Sequence, residues 1–453
     1  MSIRQRISQA LAANALGQGV TIGSQLLLTP LFFQTWGSAR YGEWLMLSSL
    51  PAYLNMADLG IGSAASNEMT MQAAAGQRRQ AQQTFLGAWR VLWWASALVL
   101  TIGVGLAAWF GWLQAESPDR QIHAHDAAWV LLGLTLSVIV GLMNGIVFAG
   151  YRCADRNALG LMLGNVTRLA EALVMGALLW AGLGPVALAW GALMVKVVML
   201  LGQYLGLQRV APWLFTPGVK ADAHLVRRLI MPSIGFLALP MGHALAIQGP
   251  VLVIGAVLGP SAAAVFSALR TLARLPVQMT NVFNNAVWPE MSRAHGSGDA
   301  PLLRSLHRGT WGSSLVLTVI AGVGLVTVGP WMAHAWLGKD VVQDPKLLAA
   351  LVGITTITAI WSASYIVLAA INQHARMGLG YVLINLCVLG AMWLLGLGAG
   401  WPGVLWPLVL GELAMLAWVM PQTMSHTQDQ LLAFLRGATI EGWQRLLQGA
   451  RST

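Results

Sequence analysis

Apolar residues run through this chain in long blocks separated by short polar gaps, not in the alternation of a half-buried strand. Twelve blocks reach the roughly 20 residues a helix needs to cross a bilayer: 11–36, 40–66, 84–112, 127–151, 158–181, 185–208, 229–256, 261–287, 309–337, 347–372, 377–399 and 402–424. The pattern predicts an all-α polytopic membrane protein. It also repeats at a spacing of about 222 positions: Gly37 falls on Gly259, Glu68 on Glu290, Met69 on Met291, Gly76 on Gly298, Gly87 on Gly309 and Trp89 on Trp311. Slightly relaxed, the register also places Ala149 on Ala369, Arg156 on Arg376, Gly160 on Gly380 and Asn165 on Asn385. Six spans per half make this a parallel repeat, and substrate sites of duplicated transporters lie where repeats meet. The expected organisation is a six-helix lobe over 1–208, a cytoplasmic linker over 209–228 with Pro212, Pro217 and Gly218, a second six-helix lobe over 229–424, and a cytoplasmic tail over 425–453.

Polar residues interrupt some spans with helical spacing. In the eighth, Arg270, Arg274, Gln278, Asn281 and Asn285 recur every three or four positions and share one narrow face. Each charged group inside a bilayer costs about 2.5–3.5 kcal/mol on insertion scales, so such a stripe is expected to line a water-filled cavity. The alternative, burial against neighbouring helices, would need partners for two arginines and three amides. The first span carries a weaker stripe, Asn14, Gln18, Thr21 and Gln25, which reads equally as cavity lining or interhelical contact. Arg168 and Glu171, three positions apart in the fifth span, are spaced to pair along one helix. Lys196 lies near the middle of the sixth span and Glu412 in the twelfth. Arg168, Lys196, Arg270 and Arg274 outnumber the carboxylates Glu171 and Glu412. A net-cationic lumen suits an anionic passenger, above all one with phosphates, whose oxygens arginine binds bidentately.

Composition agrees: the chain is 57% hydrophobic and 9% charged, against about 25% charged in soluble domains. The net charge of +10 would suggest nucleic acid in a soluble protein, but here its distribution sets topology. Loops on the N-terminal side hold Arg78, Arg79, Arg152, Arg156, Arg227 and Arg228 among others, whereas the opposite loops hold Arg40, Arg120, Lys339 and Lys346. This bias places both termini in the cytoplasm. Met1–Gln9 is polar and basic, unlike a cleavable signal peptide. The two cysteines, Cys153 and Cys387, indicate neither a disulfide framework nor a metal site. His123, His125 and Asp126 read as a solvated loop. No phosphate-binding loop, nucleotide fingerprint or nucleophile elbow is found, so ATP-driven transport by this chain alone is not expected, and the chain reads as a transporter and not an enzyme. Residues 427–447 carry apolar positions of an interfacial helix, including Leu431, Phe434 and Trp443, or else form a loose tail.

The first two expected spans carry Asn14, Gly17, Pro30, Gly37 with Tyr41-Gly42-Glu43-Trp44, and Asp58-Leu59-Gly60-Ile61-Gly62, and the second half carries Ser267-Ala268-Leu269-Arg270 with Pro276. In these residues the chain resembles bacterial polysaccharide flippases of the multidrug/oligosaccharidyl-lipid/polysaccharide exporter superfamily. The resemblance implies two six-helix bundles in a MATE-like V that opens alternately to each side of the bacterial inner membrane. The implied passenger is a polyprenyl-diphosphate-linked oligosaccharide. Its diphosphate and acidic sugars would sit against Arg270, Arg274, Arg168 and Lys196, and its tail would stay among membrane lipids. No cofactor is implied beyond a proton or sodium gradient, for which Glu171, Glu412 and Asp58 are the candidate carriers. Glycan polymerases or glycosyltransferases are the implied protein partners, and nucleic acid is not one. Rival readings are a multidrug antiporter of the same superfamily, a lipid II flippase and a non-transporting scaffold.

Overall fold

The computed structural model describes residues 3–55, 61–113, 120–219, 223–338, 345–371, 373 and 375–439. Among these residues there is no strand. The chain divides into two compact units, Met1–Ala244 and Leu245–Thr453. The first holds α1 (Ile3–Leu54), α2 (Ile61–Ala74), α3 (Arg78–Ala108), α4 (Ala124–Cys153), α5 (Asn157–Trp180), α6 (Pro185–Val210) and the first part of α7 (Ala223–Leu258). The second holds the rest of α7, α8 (Pro260–Ala273), α9 (Leu275–Gly296), α10 (Ala300–Thr327), α11 (Gly329–Leu337), α12 (Pro345–Ala370), α13 (Ala375–Ala399), α14 (Trp401–Thr427) and α15 (Leu431–Thr439).

Nine of the described helices are long and apolar enough to cross a membrane. They coincide with the third to seventh and ninth to twelfth expected spans. The first two expected spans fall on α1 and α2, and the eighth on α8 and α9. Two of these three carry the polar stripes, which lower their hydropathy. Large apolar side chains stand exposed on several spanning helices, Trp94 and Leu394 among them, as expected where lipid is the solvent.

The repeat is written in the backbone. Gly37 (φ 73, ψ 174) interrupts α1 between its first two spans, and its counterpart Gly259 (φ 96, ψ 162) precedes α8. This region of conformational space is open almost only to glycine. The next pair behaves alike. At Gly76 the chain turns from α2 to α3 with bonds from Gly76 N to Ala73 O (3.0 Å) and Gln77 N to Gln72 O (2.8 Å). At Gly298 it turns from α9 to α10 with bonds from Gly298 N to His295 O (3.1 Å) and Asp299 N to Ala294 O (2.9 Å). These are the same helix-ending turn at equivalent positions. Space around Gly259 is open, so alanine there meets no clash, only backbone strain. Gly259→Ala is expected to cost about 1–3 kcal/mol, read as a fall in the thermal unfolding midpoint.

In the first unit, Met69, Phe85, Leu92, Ile146, Tyr151 and Leu207 form a core between α2, α3, α4 and α6. Phe32 stacks on Tyr41 across the α1 bend, with ring centroids 4.6 Å apart. The Glu43 carboxylate accepts from the backbone N–H groups of Gln121 (2.9 Å) and Ile122 (2.6 Å), just before α4. The Tyr-Gly-Glu-Trp run therefore has a structural task at this end of the unit. Pro212–Phe215 forms a short 3-10 turn after α6. It is tied to α3 by paired Gln82–Thr216 bonds of 2.7 and 3.0 Å, so the start of the 209–228 segment is held against the first unit.

In the second unit, the expectation of one continuous helix over 261–287 is corrected. The helix breaks at Arg274 (φ −85, ψ −8) between α8 and α9. Pro276 lacks the N–H that would bond the Leu272 carbonyl, and its ring restricts the residue before it. Of the tail, the structure describes the helix α15; residues 440–453 lie outside the described residues. Gln428 turns the chain with φ 54, and α15 packs back on α10. Phe434 is fully buried, its ring 4.7 Å from His307 and 5.2 Å from Trp311. Arg308 bonds both Asp429 oxygens, at 2.8 and 2.7 Å. Burial pushes the Asp429 carboxyl pKa up, but this two-point contact with Arg308 more than reverses it, leaving it below its usual value. A depressed carboxylate pKa stabilises docking above the ordinary value and loses that stabilisation as pH falls through the depressed one. Protease protection of α15 is thus expected to be flat between about pH 8 and pH 5 and to fall below about pH 4. Asp429→Asn is expected to speed cleavage about tenfold at neutral pH.

Candidate functional site

The candidate site residues of the second unit converge at the α8–α9 break. Arg270 is the last basic residue of α8. Its Nη1 donates to the Ile247 carbonyl on α7 at 2.8 Å, and its guanidinium lies 5.0 Å from the centroid of the Phe266 ring. Both partners are neutral, so they hold the group without cancelling its charge. Pro250 on α7 has no N–H for the Ala246 carbonyl, which loosens the turn carrying Ile247. Arg274 lies one helical turn beyond Arg270, within electrostatic reach of it.

Arg274 also lies within electrostatic reach of Tyr381 on α13 and Glu412 on α14. Glu412 is held from α12. Trp361 Nε1 donates to its Oε2 at 2.6 Å, and the Thr358 side chain, whose hydroxyl donates to the Ile354 carbonyl at 3.0 Å, lies beside it. The Trp361 and Tyr381 rings are 5.5 Å apart. Four helical segments, of which α12, α13 and α14 are long and apolar enough to cross a membrane, thus build one polar cluster: two guanidiniums, one carboxylate, a phenol and an indole. With Glu412 ionised the three charged groups sum to one positive charge.

The stripe continues less uniformly along α9. Gln278 is half-buried, with Oε1 buried and without a bond. Asn281 is exposed. The side chain of Asn285, like all of Asp58, lies outside the described residues. The adjacent Asn284 is fully buried instead, its Oδ1 3.5 Å from the Ser314 hydroxyl.

The candidates of the first unit form a separate group. Glu171 on α5 pairs with Lys196 on α6 at 3.2 Å. The pairing of Glu171 with Arg168 along one helix, expected from spacing, is replaced by this contact between helices. Arg168 is exposed, and its Nη1 donates to Asn165 Oδ1 at 3.2 Å. Asn165 in turn donates to the Ala13 carbonyl at 2.7 Å, joining α5 to α1. Gly17 makes room for the Asn165 side chain. Behind Arg168, Gln203 donates to the Thr167 hydroxyl at 2.9 Å.

Tyr381, Trp361, Thr358 and Asn284 were not legible as site residues from spacing. One signal was available: Trp361 sits mid-span, away from the interfaces where tryptophan usually lies. Among the described residues, no group of three His, Cys, Asp or Glu side chains could hold a metal ion.

The comparisons with known proteins point one way. No curated protein matches the sequence. Among solved structures, the lipid II flippase MurJ in an inward closed conformation is similar, with a TM-score of 0.68 and 12% identity over 96% of this chain and 91% of that one. So is a multidrug resistance MATE family transporter of the MOP superfamily, inward-facing, with a TM-score of 0.63 and 14% identity over 93% of this chain and 96% of that one. The outward-facing form of such a transporter gives 0.61 and 15% over 93% and 95%. At these identities the likeness establishes the fold: an all-α, MATE-like membrane protein. The family described as "Polysaccharide biosynthesis protein" matches residues 8–295. The chain is therefore a multi-pass membrane protein that belongs to the polysaccharide biosynthesis protein family.

Proposed function

We propose that this protein flips polyprenyl-diphosphate-linked oligosaccharide repeat units from the cytoplasmic to the periplasmic leaflet of the bacterial inner membrane by alternating access. The observation that carries the reading is the Arg270–Arg274 pair, one turn apart inside spanning structure, with Arg270 held by neutral partners. A diphosphate offers opposed charge and oxygens that guanidiniums bind two at a time. Gln278, Asn281 and Asn285 extend the same face and suit glycan hydroxyls. Within the first unit Arg168 is an exposed donor, whereas Lys196 is already matched by Glu171. Glu412 is the preferred coupling group over Glu171 and Asp58, because it shares the cluster with Arg274. A proton on Glu412 would leave Arg274 free for phosphate. Glycan polymerases and glycosyltransferases would supply and consume the passenger. A multidrug antiporter would need an acidic site for cationic drugs, and the charge balance of this cluster runs the other way.

The test is transport by the purified protein in proteoliposomes, with a fluorescent polyprenyl-diphosphate oligosaccharide read by its access to an external reagent. Protein-dependent transfer that a cationic drug does not compete supports the reading. Transfer of lipid II alone, or drug transport alone, overturns it.

A further inference from the structure

The faces of α15 divide cleanly by what they meet. At about 100° per residue, Phe434, Gly437 and Ala438 occupy one arc, and all three are buried. That arc is docked. Phe434 and Ala438 pack with Trp311 of α10, Ala363 of α12 and Met420 of α14. Gly437 lies against the Arg308 side chain, and Gly312 against the Ala438 carbonyl. The next arc holds Leu431, Leu435 and Leu432, exposed by 56, 41 and 73%. Arg436 borders it, and Ala433 stands on the side away from it; both are exposed. The apolar surface of this short helix is thus twice as wide as its protein contact.

The depth of the docking site identifies what covers the second arc. Phe434 touches His307 and Trp311, which bracket position 309, where the apolar block of α10 begins. On α14 it packs against Met420, near the end of the block 402–424. Both spans therefore place α15 where hydrocarbon gives way to headgroups. The helix also leaves α14 through only the short turn after Thr427. A short apolar arc at that depth, edged by an arginine, is the arrangement of an interfacial helix on an anionic leaflet.

We propose that α15 sits in the corner between the second unit and the membrane. Its Phe434 face docks on α10, α12 and α14, and its Leu431–Leu432–Leu435 face lies in the headgroup boundary of an anionic lipid leaflet, with Arg436 at the phosphates. The leaflet is the one on the side of the termini, which the arginine and lysine distribution assigns to the cytoplasm. This role does not depend on what the protein transports.

The test uses the full chain with Cys153→Ser and Cys387→Ser, in nanodiscs of phosphatidylglycerol and phosphatidylethanolamine. Single cysteines replace Leu432, Leu435 and Ala433 in turn and carry a spin label. Oxygen, which partitions into lipid, and a water-soluble nickel chelate report the surroundings. Labels at 432 and 435 are expected to meet oxygen severalfold more than nickel, and the label at 433 the reverse. In phosphatidylcholine discs the oxygen preference should shrink, and Arg436→Gln should remove the difference between the two lipids. Equal access of nickel at 432 and 433 would overturn the proposal, since the leucine face would then lie in water. Shielding from both reagents at 432, with the protein running as a dimer, would also overturn it by assigning that face to a second copy.

Discussion

Replacing Arg270 and Arg274 together by alanine is expected to slow flipping roughly 100-fold or more while the protein still inserts and folds. A hydrogen bond to a charged group contributes about 1.5–3 kcal/mol, and two such groups are removed from one anion site. Folding should survive, because Glu412 keeps its bond to Trp361 and can take up a proton once Arg274 is gone. Arg270 contacts a backbone carbonyl and a ring, not a structural carboxylate. Removing charge from a span also relieves about 2.5–3.5 kcal/mol of insertion cost per group. Replacement by two lysines keeps the charge but loses the planar fork, so an intermediate rate is expected. Initial rates in proteoliposomes, normalised to folded protein, check the ordering of wild type, lysine pair and alanine pair. An alanine pair that transports normally would remove the cationic site from the mechanism.

Glu412→Ala is expected to destabilise the second unit by about 1–3 kcal/mol. The loss leaves the buried Trp361 Nε1 without the acceptor it holds at 2.6 Å and removes the carboxylate within electrostatic reach of Arg274. A buried donor that loses its acceptor carries its full desolvation cost, which is more than the bond contributed. Glu412→Gln, which keeps an acceptor oxygen for the indole, should recover most of the loss. Adding Arg274→Ala to Glu412→Ala separates the electrostatic part, and the thermal unfolding of both single variants and the double variant, run as a cycle, measures that coupling. A cost of Glu412→Ala under about 0.5 kcal/mol, below the contribution of one hydrogen bond, would mean that the indole finds another acceptor and Glu412 does not organise the cluster.

The parts of this account visible in the sequence are those governed by local periodicity. The 222-position repeat was legible because glycines with positive φ admit no other residue at low cost; Gly37 with Gly259, and Gly76 with Gly298, share backbone conformation as well as identity. The arginine stripe was legible because charges in apolar sequence stand out. What was hidden depends on packing between elements. Spacing alone allows Glu171 to pair with Arg168, but α6 brings Lys196 to it across the helix interface. The burial of Asn284 beside the stripe depends on α10 packing over it, which spacing along one helix does not show. The convergence of Trp361, Tyr381 and Glu412 on Arg274 joins segments far apart in the chain, so no local pattern announces it.

The most direct test of the central claim is the lipid content of cells lacking this protein. The account predicts that one completed polyprenyl-diphosphate oligosaccharide accumulates on the cytoplasmic leaflet and clears when the wild-type gene, but not the Arg270→Ala/Arg274→Ala variant, is restored. Unchanged lipid-linked oligosaccharide together with altered sensitivity to cationic drugs would contradict it.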